Sequence, residues 1–463
     1  MSKFRIEKDS IGEMNIPADA NYGVHTARAV ENFPITGVLL YHYPMLVQSL
    51  AMVKKASALA NLELSVLPTE TANAIVSACD AIIAGQSHEF FVVDMLQGGA
   101  GTSTNMNANE VIANGALLYH GKARGDYAAI NPNDHVNLSQ STNDVYPTAV
   151  RLTILRDCPA LLESQIALKA ALLKKAEEFD HIIKVGRTQL MDAVPMRLGS
   201  EFRAFAVMVG EDIDRLREFA NLLREINLGG TAIGTGINTP KNYSATVIRH
   251  LSKVSGIELV AAGDLIEATS DMGAFVTFSG MLKRIAVKLS KICNDLRLLN
   301  SGPRAGFGEI RLPAVQAGSS IMPGKVNPVI PEVVNQIAYQ VIGNDLTVTL
   351  AAEAGQLQLN AMEPVIVFNI LQSMRMLMRG MDVLRKKCII GIEADEERCR
   401  ELLEGSLVAV TALNPFIGYD EAARVAKLAL KTRRTIREVV LTENLMTEAQ
   451  IDLAFSVENL LGS

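Results

Sequence analysis

The sequence contains no long apolar run. No stretch of about 18 consecutive apolar residues, the length that marks a candidate membrane-spanning helix, occurs in its 463 residues. The opening residues, MSKFRIEKDS, also lack the apolar core of a secretory signal peptide. These absences exclude a typical transmembrane protein and a typical secreted protein, so we expect a cytoplasmic one.

Charge of one sign is also scarce. Lysine and arginine number 44 against 50 aspartate and glutamate residues, which leaves a formal net charge of −6. Proteins that hold nucleic acids or anionic membrane surfaces usually carry a concentrated positive field. We therefore expect neither a nucleic acid nor a membrane as a partner.

Cysteines and histidines are few and scattered. The five cysteines have no CxxC spacing, and the seven histidines show neither paired spacing nor an HExxH pattern. This excludes the common zinc motifs, so we expect no metal and no other cofactor. We predict five buried, reduced thiols, at Cys79, Cys158, Cys293, Cys388 and Cys399.

Long amphipathic patterns dominate the middle of the chain. Hydrophobic residues make up 49% of the sequence, enough for a large core. Many recur at spacings of three and four, which indicates helices with one buried face, and helices of this length pack well in bundles. We therefore predict a mostly α-helical protein with five long central helices. The patterns cover residues 160–179, 202–226, 275–299, 329–352 and 365–384.

Composition divides the chain into three predicted domains. Residues 1–141 have short helical patterns and polar loops, which predict an N-terminal mixed or helical domain. Residues 142–391 carry the long helices and predict the central bundle. Residues 392–463 begin with the charged stretch EADEERCREL and predict a small helical domain. Within it, Thr447 and Gln450 have the spacing of a capping box.

Four segments rich in small polar residues interrupt this hydrophobic background. Most of them precede or enter a predicted helix, where hydroxyls and free backbone N–H groups make good anion sites. Taken singly, most such segments are equally well explained as helix caps. The four are GGAGTSTNMNANE (98–110), SQSTND (139–144), GRTQLMDAVP (186–195) and GSSIMPGKVNP (318–328).

Helix starts are predicted at three of these segments. Thr102 or Ser103 is expected to cap a helix that runs toward Ile112. Thr142 leads into a second helix, and Asn327 with Pro328 has the pattern of a cap followed by a first turn.

The segment 318–328 is the most specific of the four, because it combines a serine pair, glycines, a lysine and an asparagine. It resembles the mobile catalytic loop of the aspartase/fumarase superfamily. The resemblance extends over nearly the whole chain and is closest to the ammonia-lyase branch. It rests also on PADANYGVHTARAVENF, QGGAGTSTNMNANE, NPNDHVNLSQSTNDVYPT, GRTQLMDAVP, GQLQLNAMEPVI and LNPFIGYDEAA.

The resemblance implies a fold and an assembly. Members of this superfamily have a three-domain, mostly helical subunit with a central five-helix bundle. Four subunits form a homotetramer with a helix-bundle core, and each active site takes residues from three of them. We therefore expect a homotetramer whose mobile catalytic loop lies in the central domain, at residues 318–328.

The resemblance also implies reversible deamination of L-aspartate to fumarate and ammonia. A general base removes a proton from C3, which leaves a doubly charged aci-carboxylate that needs hydrogen-bond donors. Ser319 matches the base, and Glu332 matches a supporting position on the helix that follows. The residues expected at the reacting carboxylate are Thr102, Ser141, Thr142 and Ser320. The residues expected at the other carboxylate are Thr188, Lys325 and Asn327. The amino group is expected to lie near Asn143 and Gln189, with Thr102 nearby.

Two alternatives stay open at this point. The first is a class II fumarase, which adds water to fumarate on the same scaffold. Fumarases carry histidine where this chain has Gln189 and pair it with a glutamate at the position of Glu332. An amide cannot relay a proton to a departing hydroxide, so Gln189 favours loss of ammonia. The second alternative is an inactive structural relative, which the intact loop disfavours.

Overall fold

The computed structural model describes residues 3–461, and most of them are helical. The chain opens with an antiparallel hairpin that is followed by four helices. These elements are β1 (Phe4–Asp9), β2 (Gly12–Pro17), α1 (Val24–Asn32), α2 (Pro44–Glu63), α3 (Thr69–Ile83) and α4 (Thr102–Tyr119). A short π-helix at Pro132–Val136 leads to the next part of the chain.

The middle of the chain contains the five long helices. The elements in order are α5 (Thr142–Glu178), β3 (Ile183–Thr188), β4 (Met191–Arg197), α6 (Leu198–Asn221), β5 (Glu225–Ile226), α7 (Tyr243–Ser255), β6 (Val260–Ala261), α8 (Glu267–Ser270), α9 (Gly273–Leu299), β7 (Ile310–Arg311), α10 (Val329–Glu353) and α11 (Glu363–Lys387). Helices α5, α6, α9, α10 and α11 are the five predicted from the hydrophobic periodicity, so the mostly helical fold is confirmed.

Short helices make up the end of the chain. They follow one last strand, β8 (Glu393–Ala394), and are α12 (Glu396–Gly405), α13 (Asn414–Ile417), α14 (Tyr419–Thr432), α15 (Ile436–Thr442), α16 (Glu448–Ala454) and α17 (Val457–Leu461). The capping box predicted at the start of α16 is confirmed, because Thr447 Oγ1 accepts from the N–H of Gln450 and Gln450 Oε1 accepts from the N–H of Thr447.

Two long helices differ from their predicted extents. Helix α5 is one continuous helix of 37 residues, although the patterns predicted separate helices on either side of Pro159. A proline removes one backbone hydrogen bond, but buried residues on both sides, such as Leu155 and Leu161, keep α5 packed through it. Helix α6 ends at Asn221 instead of reaching Ile226, because Ile226 pairs with Ala261 in the parallel ladder of β5 and β6.

The chain divides into two compact units. One contains Met1–Leu162, Asp214–Arg284 and Gln340–Met376; the other contains Glu163–Ile213, Ile285–Tyr339 and Leu377–Ser463. Each unit includes a part of all five long helices. The three-domain boundaries at residues 141 and 391 stay a prediction.

In the first unit, α2 packs against α3 and α7, and α3 packs against α4. The N-terminal helices are longer than predicted: α2 has 20 residues and α4 has 18. Their length escaped the periodicity because both helices are buried on most sides and so lack a polar stripe. Helix α2 even buries a lysine, Lys54, at 0% exposure.

In the second unit, β3 and β4 form an antiparallel hairpin that packs against α12. The helices from α14 onward enclose a separate apolar cluster that includes Val425, Ile436, Val440 and Ile451.

All five cysteines are free and buried, as predicted. Every helix within residues 3–461 is too short or too polar to span a lipid bilayer.

Candidate active site

Ser141, Thr142 and Asn143 lie at the start of α5, where Ser141 and Asp144 form hydrogen bonds with the backbone. Ser141 Oγ accepts from the N–H of Asn143 at 3.2 Å, and the Ser141 N–H donates to Asp144 Oδ1 at 2.9 Å. The other Asp144 oxygen accepts from the N–H groups of Gly229 and Thr231, at 3.0 Å each. The first turn of α5 is therefore fixed by a buried carboxylate that sequence analysis did not select.

The hydroxyls at this helix start are accepting hydrogen bonds. Thr142 Oγ1 accepts from Asn105 Nδ2 at 3.1 Å, just as Ser141 Oγ accepts from a backbone N–H. A hydroxyl that accepts still has its own proton to donate. Ser141 and Thr142 can therefore both donate to an anion at the positive end of the α5 dipole. Asn143 Nδ2 donates to Ala232 O at 2.7 Å.

Thr102 lies at the start of α4, but the expected side-chain cap is wrong. The N-cap residue is Gly101, in the left-handed region with φ at 90°, and the side chain that caps the helix is Gln97, whose Oε1 accepts from the N–H of Thr104 at 2.8 Å. Thr102 Oγ1 instead donates to Gly99 O at 2.7 Å. Glycine is required at 101, because a Cβ there would come within 2.5 Å of the Tyr146 ring. Thr102 itself is exposed.

Thr188 and Gln189 lie at the tip of the hairpin between β3 and β4. Thr188 pairs with Met191, so the turn consists of Gln189 and Leu190 alone, with φ values of 54° and 63°. Two-residue turns of this type favour Asn-Gly, and each non-glycine residue with positive φ costs roughly 1 kcal/mol. The turn exposes Gln189, and its backbone is strained. Strained backbone is common at functional sites.

A buried glutamate anchors the base of this hairpin. Glu309 is fully buried and forms ion pairs with Lys184 and Arg187 of β3, at 2.7 Å each. The Arg187 guanidinium also stacks on the Phe307 ring, with its carbon 4.2 Å from the ring centre. No motif in the sequence pointed to Glu309, because its partners are more than 100 residues away in the chain.

The loop 318–328 gathers Ser319, Lys325 and Asn327. Ser319 Oγ accepts from the N–H groups of Ile321 at 3.1 Å and Met322 at 2.9 Å. The base of the loop closes where the Gly318 N–H donates to Lys325 O at 2.8 Å and Asn327 Nδ2 donates to Gly318 O at 2.7 Å. A Cβ on residue 318 would lie 2.5 Å from Lys325 O, so this closure needs glycine.

Lys325 and Asn327 line a cavity of about 610 Å³. Arg297, Arg311 and Asp395 also line it, so three cations and one carboxylate face a space large enough for a small dicarboxylate. Ser320 is exposed on the same loop.

Glu332 lies in the first turn of α10, where its N–H donates to Pro328 O at 3.1 Å. Within residues 3–461 no three His, Cys, Asp or Glu side chains form a metal-binding group.

Known proteins resemble the chain over nearly its full length. A family described as Lyase matches residues 12–343, and one described as Fumarase C C-terminus matches residues 410–462. A solved fumarate lyase:delta crystallin from Brucella melitensis, bound to cobalt, is 59% identical with a TM-score of 0.95, and the match covers 99% of both chains. The chain belongs to the aspartase/fumarase superfamily of lyases.

Two curated relatives are more specific. Aspartate ammonia-lyase from Pseudomonas fluorescens is 60% identical over 99% of this chain and 96% of its own length. Aspartate ammonia-lyase from Escherichia coli K12 is 54% identical over the same shares of the two chains. A class II fumarase structure from Schistosoma mansoni is 34% identical, with a TM-score of 0.90 and 98% of each chain covered. The family resemblance noted in the sequence is confirmed.

Proposed function

We propose that this protein is a carbon–nitrogen lyase that acts as an aspartate ammonia-lyase, converting L-aspartate reversibly to fumarate and ammonia. Relatives with that activity are 54–60% identical over 99% of the chain. The structural observation that carries the proposal is the loop 318–328, in which two backbone N–H groups converge on the oxygen of Ser319.

Ser319 is the general base in this proposal. A serine hydroxyl is a weak base at neutral pH, so it must react as an oxyanion. The N–H groups of Ile321 and Met322 already donate to its oxygen, and each such donor is worth about 3 kcal/mol in an oxyanion hole. Lys325, on the same loop, adds positive charge. The oxyanion then takes the C3 proton of L-aspartate.

Removal of that proton places a second negative charge on the adjacent carboxylate. Ser141 and Thr142 donate their hydroxyl protons to it, since both oxygens already accept from fixed N–H groups. Ser320 adds a donor from the loop, and Thr102 can add another once its hydroxyl releases Gly99 O. Because the positions of Ser141 and Thr142 are set before the substrate arrives, little reorganisation of these two donors is needed as the charge develops.

The other carboxylate of the substrate is bound by Lys325 and Asn327, with Thr188. The Asn327 amide spends one N–H on Gly318 O and has a second to donate. An ammonium and an amide fixed on one loop orient the substrate through charge-assisted hydrogen bonds.

Gln189 and Asn143 face the amino group, and Gln189 decides which group leaves. An ammonium departs as neutral ammonia without a proton donor, whereas hydroxide needs one. Gln189 is an amide that cannot titrate, so it cannot relay a proton as a histidine at this position would. The fumarase reaction is therefore disfavoured, and L-malate is expected to be a poor substrate.

In this proposal the protein is a homotetramer, and each active site takes its residues from three subunits. Helix α10 supports an assembly, because Tyr339, Ile342, Leu346 and Leu350 are exposed at spacings of three and four. This apolar stripe on a long helix needs a partner surface. Light scattering combined with activity assays tests the assembly: a fully active monomer would contradict it.

The activity is tested by the ultraviolet absorbance of fumarate. The purified protein is mixed with L-aspartate or with L-malate at equal concentration, and the initial rates are compared. We expect rapid fumarate formation from L-aspartate and a rate lower by at least about 100-fold from L-malate, the size of one lost proton-transfer contribution. Equal or faster formation from L-malate would identify a fumarase, and no reaction with either would support the inactive alternative.

A further inference from the structure

Helix α2 contains a lysine that is completely enclosed by the fold. Lys54 has 0% exposure, and its ammonium donates to Asn137 Oδ1 and Gln140 Oε1, at 2.9 Å each. Both acceptors lie in the segment that leads into α5. A buried lysine is uncommon and expensive, because its charge loses its hydration. This unfavourable burial points to a specific role for Lys54.

Two amides connect Lys54 to the start of α5. Asn137 Oδ1 accepts from Lys54 and also from Asn105 Nδ2 and Asn109 Nδ2, at 3.1 Å each. The same Asn105 amide donates to Thr142 Oγ1 at 3.1 Å. The position of the Thr142 hydroxyl therefore depends, through Asn105 and Asn137, on the lysine.

The second connection between Lys54 and this helix start is electrostatic. Asp144, in the first turn of α5, is fully buried, and its carboxylate already accepts three backbone N–H groups. A fixed anion at this helix start opposes the binding of another anion there. Lys54 is the buried cation whose charge acts on Asp144. Its ammonium compensates that carboxylate and restores a positive potential for the substrate.

We propose that Lys54 is a positioning residue for the deamination, which compensates the charge of Asp144 and holds the Thr142 hydroxyl toward the carboxylate that gains the second negative charge. The proposal rests on the proposed function, because it assigns Thr142 to that carboxylate. Lys54 does not touch the substrate in this scheme. It acts through Asn137 and Asn105 and through its field.

Burial brings the pKa values of both members of this pair close to neutral pH, where Asp144 is mostly ionised and Lys54 is partly protonated. Burial lowers the pKa of Lys54 to about 7, while Asp144 acts in the opposite direction. Burial raises the pKa of Asp144 to about 6, against its three N–H donors and Lys54. Two other titratable groups interact with the pair: Cys79 of α3 acts on the pKa of Lys54, and Asp144 in turn raises the pKa of Tyr243 of α7.

The test uses two adjacent lysines. Lys54→Met removes the buried charge and keeps the length of the side chain, whereas Lys55→Met removes a partly exposed lysine that pairs with Asp80. Both proteins are purified as the full chain, and kcat and KM are measured with L-aspartate. We expect Lys54→Met to lower kcat about 100-fold and to raise KM less than about 3-fold. Lys55→Met should stay within about 2-fold of the wild type.

A binding measurement makes the test independent of turnover. Succinate mimics the substrate's ground-state carboxylates, and the nitronate of 3-nitropropionate mimics the doubly charged carboxylate. By calorimetry, Lys54→Met should weaken nitronate binding about 100-fold and succinate binding less than about 3-fold. If Lys54 had a purely structural role, Lys54→Met would weaken the binding of both ligands equally. That result, or unchanged nitronate binding, would overturn the proposal.

Lys54→Gln covers the case in which Lys54→Met does not fold. Glutamine keeps one amide that can donate to Asn137 or Gln140 but has no charge, so we expect an intermediate loss of nitronate affinity, about 10-fold. Wild-type affinity in Lys54→Gln would overturn the role of the charge. A wild-type protein that formed no fumarate from L-aspartate would refute the proposed function, and the nitronate comparison would still decide the role of Lys54.

Discussion

The hydroxyl groups at the start of α5 and in the loop 318–328 are held by different kinds of contact. At α5 the hydroxyls of Ser141 and Thr142 are set by a helix, by a neighbouring amide and by the buried carboxylate of Asp144. In the loop, Ser319 is held only by N–H groups of the loop itself, and most surrounding residues are exposed.

The difference in contacts fits two catalytic tasks, stabilisation of the developing charge and proton transfer. Groups that stabilise a developing charge are most effective when their positions do not change, which suits a buried helix start. A base must approach the substrate after it binds and then allow the product to leave, which suits a loop closed by few bonds. Substitutions in the two regions should therefore affect different kinetic constants.

The largest effect is expected in the loop. Ser319→Ala removes the proposed base and should lower kcat by about 10⁴-fold, because proton transfer contributes at most about that factor. KM should change less than about 3-fold, since a base acts only in the transition state. Steady-state kinetics on L-aspartate provide the measurement. A variant with near-normal turnover would require another base and would remove the distinction between the two regions.

The next effect is expected at the start of α5. Thr142→Val keeps the shape of the side chain but loses the hydroxyl, and we expect kcat to fall about 100-fold, the loss associated with one oxyanion donor. Thr153→Val is a matched control, because Thr153 is a buried threonine of the same helix whose hydroxyl bonds only Ala149 O. Equal losses in both variants would indicate a general loss of α5 stability instead.

A smaller effect is expected for the substrate clamp. Lys325→Ala removes the cation that we propose contacts the substrate in both the ground and transition states, so KM should rise about 30-fold with a smaller change in kcat. The same kinetic assay measures it. If kcat fell far more than KM rose, Lys325 would act chiefly on the Ser319 oxyanion, and the loop would contain no separate clamp.

The smallest effect concerns stability. The folded-state pKa of Lys54 is lowered to about 7 from 10.5, so between these values the unfolded chain binds more protons and stability rises with pH. The charged lysine therefore destabilises the fold most at low pH. The melting temperature of Lys54→Met relative to the wild type should be higher at pH 6 than at pH 9. Lys55→Met should show no such trend.

Much of this molecule could be predicted from local sequence. The five long helices followed from apolar residues at spacings of three and four, the pattern that a helix with a buried face produces. The loop 318–328 was identified by its residue types, because a serine pair with lysine and asparagine is rare in eleven residues. The structure closes that loop with bonds between residues at most nine apart in the chain, so its geometry is largely local.

Other features needed contacts between distant residues. The hairpin that exposes Gln189 depends on Glu309, and the cap of α4 is a glycine because the Tyr146 ring fills the space beside it. Lys54 looks like a surface lysine in the sequence, because VKKASA gives no sign that α3 and α7 cover both sides of the helix. Sequence by itself determined helical periodicity and the chemical groups of the site. Only the tertiary structure decided which of those groups are buried and charged together, because burial and electrostatic compensation depend on segments that meet only after folding.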